Sequence, residues 1–292
     1  MKICLLMDEI SNDPETAIEL AAAWGMHDFE LRGFYTDRVP RFSEFQRQRL
    51  HDALDEYGAR IVALAPGLFK IPCPVKRSPR ESLGWMDRPG YESWAEARRK
   101  VGYHLDELLP ASLDYAHELG AGVIVIFAFH RAGEPPGEPP DEVLNYLRLA
   151  AERAGAAGMN LALENDEGLW VDSGARCAQL VRTINHPALG INWDPANSFF
   201  AGYEPYPADY QNVRGLVRHM HFKDARRDQN GTPHLDLEGD VDWAGQINTL
   251  VADGYQGFIS IETHLRPKVS GTRTLLERVR TLVASARENK EA

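Results

Sequence analysis

Leu161-Ala-Leu-Glu-Asn-Asp166, Gly190-Ile-Asn-Trp-Asp-Pro195, His219-Met-His-Phe-Lys-Asp224 and Phe258-Ile-Ser-Ile-Glu-Thr263 share one design. Each is an apolar run of strand length that ends in a carboxylate or an imidazole. A buried strand has no packing use for such a group at its end. One such ending is loop chemistry, but four in succession point to a shared site, with Glu164, Asp194, His221 and Glu262 as its ligand set. Three carboxylates and one imidazole, with no thiolate, suit one hard or borderline divalent cation: Mn²⁺, Mg²⁺ or Zn²⁺.

Around these segments the pattern alternates strand and helix from end to end. Strands are predicted over 2–7, 28–33, 60–66, 123–129, 160–165, 189–194, 219–223 and 257–263. Asp13-Pro14 starts a first helix with Pro at a tolerated first-turn position, and Gly25 ends it. Ser43-Phe-Glu-Gln46 is a capping box for a second. Helices are also predicted up to Gly120, over 141–158 and 173–185, near 210–217, behind an Asp242 cap, and at the end of the chain. A long loop follows Asp194, a polar loop runs to Asp240, and a mouth loop with Trp85 and Tyr91 spans 69–91. Eight strand–helix units predict a single (β/α)8 TIM barrel over 1–292. A doubly wound open sheet is the alternative, but no GxGxxG follows the first strand. In a barrel the C-terminal strand ends ring one mouth, so the four ligands converge from strands five to eight.

The bulk numbers agree. The chain has 292 residues, 43% hydrophobic and 26% charged, a soluble globular composition. Cys4, Cys73 and Cys177 form no CxxC pair and read as reduced residues of a cytoplasmic protein. No signal peptide or membrane-spanning run is present, so no membrane partner is expected. A net charge of −11 opposes a broad nucleic-acid footprint. A homo-oligomer is compatible with all of this.

The chain resembles the sugar isomerase/epimerase superfamily with the xylose isomerase-like barrel. The resemblance rests on Asp8-Glu9-Ile-Ser followed by Asp13-Pro14, Glu30-Leu-Arg32, Glu164-Asn165, Asn192-Trp-Asp-Pro-Ala-Asn197, the His-x-His-x-Lys-Asp run and Ile261-Glu-Thr-His264. It implies a metal held by Glu164, Asp194, His221 and Glu262. In the ketose 3-epimerases of this group, the two metal-bound glutamates also exchange the proton of the reacting carbon, a role that falls to Glu164 and Glu262. The arginine six residues after the metal-binding histidine contacts the sugar there, and Arg227 holds that place. Two positions depart from those epimerases: Asn197 stands for a substrate-holding histidine, and Trp170 for a further glutamate. Other keto-sugar chemistry gains by this.

The expected reaction is proton abstraction next to the carbonyl of a keto-sugar, through a metal-stabilised enediolate. Return of the proton gives epimerization or isomerization; loss of a β-substituent, from a keto-sugar, cyclitol or keto-glycoside, gives a lyase. Lys223 is placed to donate to the developing oxyanion. Lys70, His130, Asn197, Arg227 and His264 are candidate substrate contacts at strand ends or mouth loops. No Gly-rich anion nest follows strands seven and eight, which predicts an unphosphorylated substrate. An endonuclease-like hydrolase would want more strand-end histidines and a basic face. A non-catalytic sugar-binding subunit would not need a pair of metal-bound glutamates.

Overall fold

Parity along the strands decides which side chains enter the barrel. The fold is taken from a computed structural model, and the structure describes residues 1–74 and 94–291. Its barrel strands are β1 (Lys2–Leu6), β2 (Asp28–Leu31), β3 (Arg60–Leu68), β4 (Val123–Ile126), β5 (Asn160–Glu164), β6 (Leu189–Trp193), β7 (Val217–Phe222) and β8 (Phe258–Ile261). They pair in parallel in chain order and close where β8 meets β1, with Lys2 opposite Phe258 and Leu5 opposite Ile261. The closed (β/α)8 barrel expected from the sequence is the fold.

Alternate residues of a strand face opposite sides. Leu161 and Leu163 of β5, Ile191 and Trp193 of β6, Met220 and Phe222 of β7, and Ile259 and Ile261 of β8 all join the large buried cluster between strands and helices. The intervening positions, Ala162 and Glu164, Asn192 and Asp194, His219 and His221, Ser260 and Glu262, therefore point into the barrel. Cys4, Ala63 and Ala162 share a small apolar cluster among the strands. On these four strands the polar members of the inward series lie toward the C-terminal ends, the mouth of such a barrel.

The surrounding helices are α1 (Pro14–Ala23), α2 (Glu44–Glu56), α3 (Trp94–Tyr103), α4 (Leu109–Leu119), α5 (Asp141–Ala156), α6 (Gly174–Ile184), α7 (Pro195–Phe200), α8 (Tyr210–Val213), α9 (Trp243–Ala252) and α10 (Lys268–Glu291). The cap signals act as read: Asp13 accepts from Thr16 N–H, Ser43 and Gln46 form the reciprocal box, and Asp242 accepts from Gly245 N–H. Behind the mouth, Phe222 lies with its ring 4.1 Å from that of Trp243, whose Nε1–H donates to the Lys223 carbonyl at 3.1 Å.

Two expectations need correction. The segment after Asp194 is not all loop: Asp194 caps α7, accepting from Asn197 N–H at 2.9 Å, with Pro195 in the first turn. The polar loop after β7 contains a hairpin, Asp224–Arg227 against Pro233–Asp236. A second small hairpin, Gly33–Phe34 against Asp37–Arg38, follows β2. Much of the mouth loop expected over 69–91, with Trp85 and Tyr91, lies outside the described residues.

Candidate active site

Glu164 ends β5, Asp194 follows β6, His221 lies on β7, and Glu262 follows β8. One ligand atom from each lies within 4.8 Å of the others, and all four residues are buried. The Nδ1 of His221 sits 3.4 Å from Glu164 Oε1 and 3.3 Å from Glu262 Oε2. Its Nε2–H is directed at Glu30, 3.1 Å from both carboxylate oxygens. With Nε2 committed to Glu30, Nδ1 is the ring atom turned to the cluster, the arrangement that holds a metal-ligating imidazole in line. Without an ion there, Glu30, Glu164 and Glu262 raise the ring well above its usual pKa, so that it faces them protonated. Nδ1 of His221 and Oδ2 of Asp194 are buried without a hydrogen-bond partner among the described residues. Buried polar atoms are seldom left so, and the donor set fits a divalent cation.

The supports of the cluster come from neighbouring strands. Glu164 accepts from Asn192 Nδ2 at 3.1 Å and from Asn197 Nδ2 at 3.2 Å. The Asn165 side chain donates to the Asp194 carbonyl at 2.7 Å and accepts its N–H at 2.9 Å, clamping β5 to β6. Lys223 reaches Asp194 Oδ2 at 2.6 Å, an ion contact without hydrogen-bond geometry, and donates to Glu262 Oε2 at 2.8 Å. Glu262 Oε1 accepts from Arg32 Nη1 at 2.9 Å and lies 3.0 Å from His264 Nε2. Arg32 is itself fixed by Asp8 and by Glu9 at 2.6 Å.

This charge pattern divides the acids. Burial alone would raise the Glu262 carboxyl, but the Lys223 ammonium and the His221 ring hold it well below the usual carboxylate range. Burial likewise opposes the charge of Glu164, and the His221 ring overcomes it. Burial pushes Asp194 up to about 6 against the pull of Lys223. His264, which burial would lower, is raised to about 9 by Glu262 and Glu9. Glu262 is thus an ionised base flanked by cationic donors.

The site faces a cavity of about 350 Å³. Lys70, Asn197, Lys223 and His264 line it together with Glu164, His221 and Glu262. Lys70 sits on Asp166 at 2.6 Å. Both amide hydrogens of Asn197 are engaged, by Glu164 and by the Asn165 carbonyl at 2.9 Å. Arg227 and His130 are not brought to this cavity. Arg227 donates to the Phe199 and Gly231 carbonyls, each at 3.0 Å, over the Phe199 ring. His130 forms bridges with Pro72 and Leu169. Trp170, at the place of the absent glutamate, is buried in the apolar cluster.

Sequence reasoning missed Glu30, Arg32 and Arg38 as site residues. The first two alternate inward from β2 after Phe29, a parity signal readable in Phe29-Glu-Leu-Arg32. Arg38 arrives from the small hairpin and carried no such signal.

A family model described as the xylose isomerase-like TIM barrel matches residues 18–282. An inosose dehydratase of Lacticaseibacillus casei is 21% identical over 183 residues, 53% of this chain and 61% of the relative. The 2-epi-5-epi-valiolone 7-phosphate 2-epimerase of an Actinoplanes species is 26% identical over 225 residues, 75% of this chain and 71% of the relative. The solved structure of the IOLI protein with a bound zinc atom superposes with a TM-score of 0.70 at 15% identity, covering 98% of this chain and 99% of that one. The chain spans about six-tenths of the length of the first of these relatives. Matched across nearly all of its length and closed into the same barrel, the chain belongs to the xylose isomerase-like TIM barrel family.

Proposed function

We propose that this protein is a divalent-metal-dependent enzyme that removes and returns a proton next to the carbonyl of a keto-sugar, as an epimerase or isomerase. The observation that carries this reading is the pair Glu164 and Glu262, both within 3.4 Å of His221 Nδ1 and both open to one cavity. Glu164, Asp194, His221 and Glu262 would hold the ion. Bound there, a divalent cation would polarise the substrate carbonyl and acidify the adjacent C–H. Glu262, kept ionised by Lys223, accepts that proton; Glu164, from a different strand of the mouth, is the second carboxylate of the exchange and returns a proton that it first takes up from solvent. Lys223 and Arg32 fix the position of Glu262, and Lys223 offers an N–H to the growing negative charge on oxygen. The substrate is a small molecule, and the free cysteines suit a cytoplasmic setting.

Elimination, a dehydratase or lyase activity, is the second reading. It is favoured by Asn197, whose amide hydrogens are committed inside the protein and not offered to a sugar. His264 beside Glu262 can give a proton to a departing hydroxyl. The deciding experiment incubates metal-loaded protein in D₂O with a panel of keto-sugars and keto-cyclitols. Deuterium entry beside the carbonyl supports the shared first step; an epimer or an unsaturated product then separates the two readings. Exchange that persists after chelation of the metal, or exchange with no member of the panel, overturns the proposal.

A further inference from the structure

Among the side-chain cations of the cavity, Arg38 stands apart. Arg32, Lys70 and Lys223 each hold a carboxylate oxygen at 2.9 Å or less. Arg38 has no such partner among the described residues. It is half-buried, and among the described residues its one side-chain hydrogen bond runs from Nε to the Ala65 carbonyl at 3.1 Å. The two terminal nitrogens have no hydrogen-bond partner among the described residues. Burial and the nearby Arg32 guanidinium both lower its basicity, yet an arginine stays charged.

The local backbone is shaped around this side chain. The Gly33–Phe34/Asp37–Arg38 hairpin carries it to the mouth. Gly67, at φ +78° near the end of β3, lets the guanidinium lie against its backbone; a Cβ there would meet Arg38 Cζ at 3.1 Å. The Nε bond fixes the plane of the group and leaves its end, two parallel N–H donors, as a fork. That geometry fits a planar carboxylate bidentately. A phosphate dianion would want further donors, and the neighbouring cations are already held by the protein's own acids.

We propose that Arg38 recognises a carboxylate of the substrate, so that the molecule turned over is a keto-acid of sugar or cyclitol type. This rests on the keto-substrate reading above and narrows it. It agrees with an unphosphorylated substrate and replaces a neutral ring with an anionic one.

The test is isothermal titration of matched probes into Mn²⁺-loaded and into EDTA-treated protein: d-glucuronate against d-glucose, and quinate against myo-inositol, with glucose 6-phosphate as the phosphate arm. In at least one pair the acid should bind roughly ten- to a hundredfold more tightly than its neutral partner, with or without metal. Arg38→Gln should bring that ratio near one while melting temperature and metal content stay as in the wild type. Arg38→Lys keeps the charge but not the fork, and should lower the ratio severalfold; it carries the test if Arg38→Gln does not fold. Equal binding within both pairs, no binding of either acid at millimolar concentration, or a preference that survives substitution overturns the proposal. Arg38-dependent binding of glucose 6-phosphate above glucuronate overturns the carboxylate assignment in favour of phosphate. Failure of the metal reading shows separately, as no bound ion and no effect of EDTA.

Discussion

Glu30 and His221 stand 191 residues apart in the chain and 3.1 Å apart in the fold. The same carboxylate accepts from His219 Nε2 at 2.9 Å, so one buried acid orients two imidazoles. Glu30→Gln keeps the size and removes the charge. It should weaken divalent-metal affinity by roughly 10–100-fold, the usual cost of losing such a support. A competition titration with a metal chelator reads this directly, and unchanged affinity would remove Glu30 from the support of the site.

Purified protein should carry about one divalent ion per chain, by the preference of an O₃N donor set. His221→Ala should lower that occupancy sharply and leave the far-ultraviolet circular dichroism unchanged, because the side chain serves the mouth and not the strand–helix packing. Elemental analysis of both proteins decides it; full occupancy in the variant would exclude His221 as a ligand.

Glu262→Gln should reduce proton exchange by at least about 10²-fold, the lower range for a positioned base, with a smaller effect on substrate affinity. The amide retains an oxygen toward the site but accepts no proton. Wild-type deuterium incorporation in this variant would assign the base elsewhere.

The acid dependence of stability should carry a contribution from His104. Its Nδ1 accepts the Phe69 N–H at 2.8 Å, and burial lowers its pKa from 6.5 to about 4. Between these values the unfolded chain binds more protons than the folded one, so stability is full above about pH 6.5 and falls as pH drops toward 4. His104→Gln retains an acceptor and cannot charge. The loss of unfolding free energy between about pH 7 and pH 4.5 should shrink by on the order of 2 kcal/mol in the variant. Parallel denaturant curves of the two proteins with the same pH slope would refute it.

Asp209 ties three donors together: the N–H groups of Gly174 and Ala175 at the start of α6, at 2.7 and 2.8 Å, and the Ser198 hydroxyl of α7 at 2.6 Å. Asp209→Ala leaves the Gly174 N–H and the Ser198 hydroxyl without that acceptor in a buried place and should cost about 2–4 kcal/mol. Asp209→Asn should recover part of this. Urea unfolding of both variants provides the measure, and a loss below about 0.5 kcal/mol would contradict the account.

The barrel and the four-residue cluster were legible because both depend on local pattern. Each of the apolar runs ending at Glu164, Asp194, His221 and Glu262 is visible within six residues, and barrel topology then brings the ends together. For Glu30 the sequence carries only a parity signal, which a solvated acid at the end of a short strand would share. Its meaning comes from His219 and His221 across the barrel. Arg38 was hidden for a different reason. Among the described residues it holds no acid, which only the arrangement of the neighbouring acids reveals. Arg227 and His130 show the converse: strand-end or loop positions in the sequence that do not line the cavity, the Arg227 guanidinium being turned to the Phe199 and Gly231 carbonyls.

The seam between β8 and β1 ties the life of the site to the order of synthesis. β8 is the last of the barrel strands in chain order, and it alone joins β7 to β1. A nascent chain that stops before Phe258 therefore presents two bare strand edges to its surroundings, a form open to mispairing with its copies. It also lacks Glu262, so no N-terminal fragment of that length, however well folded, can hold the complete cluster.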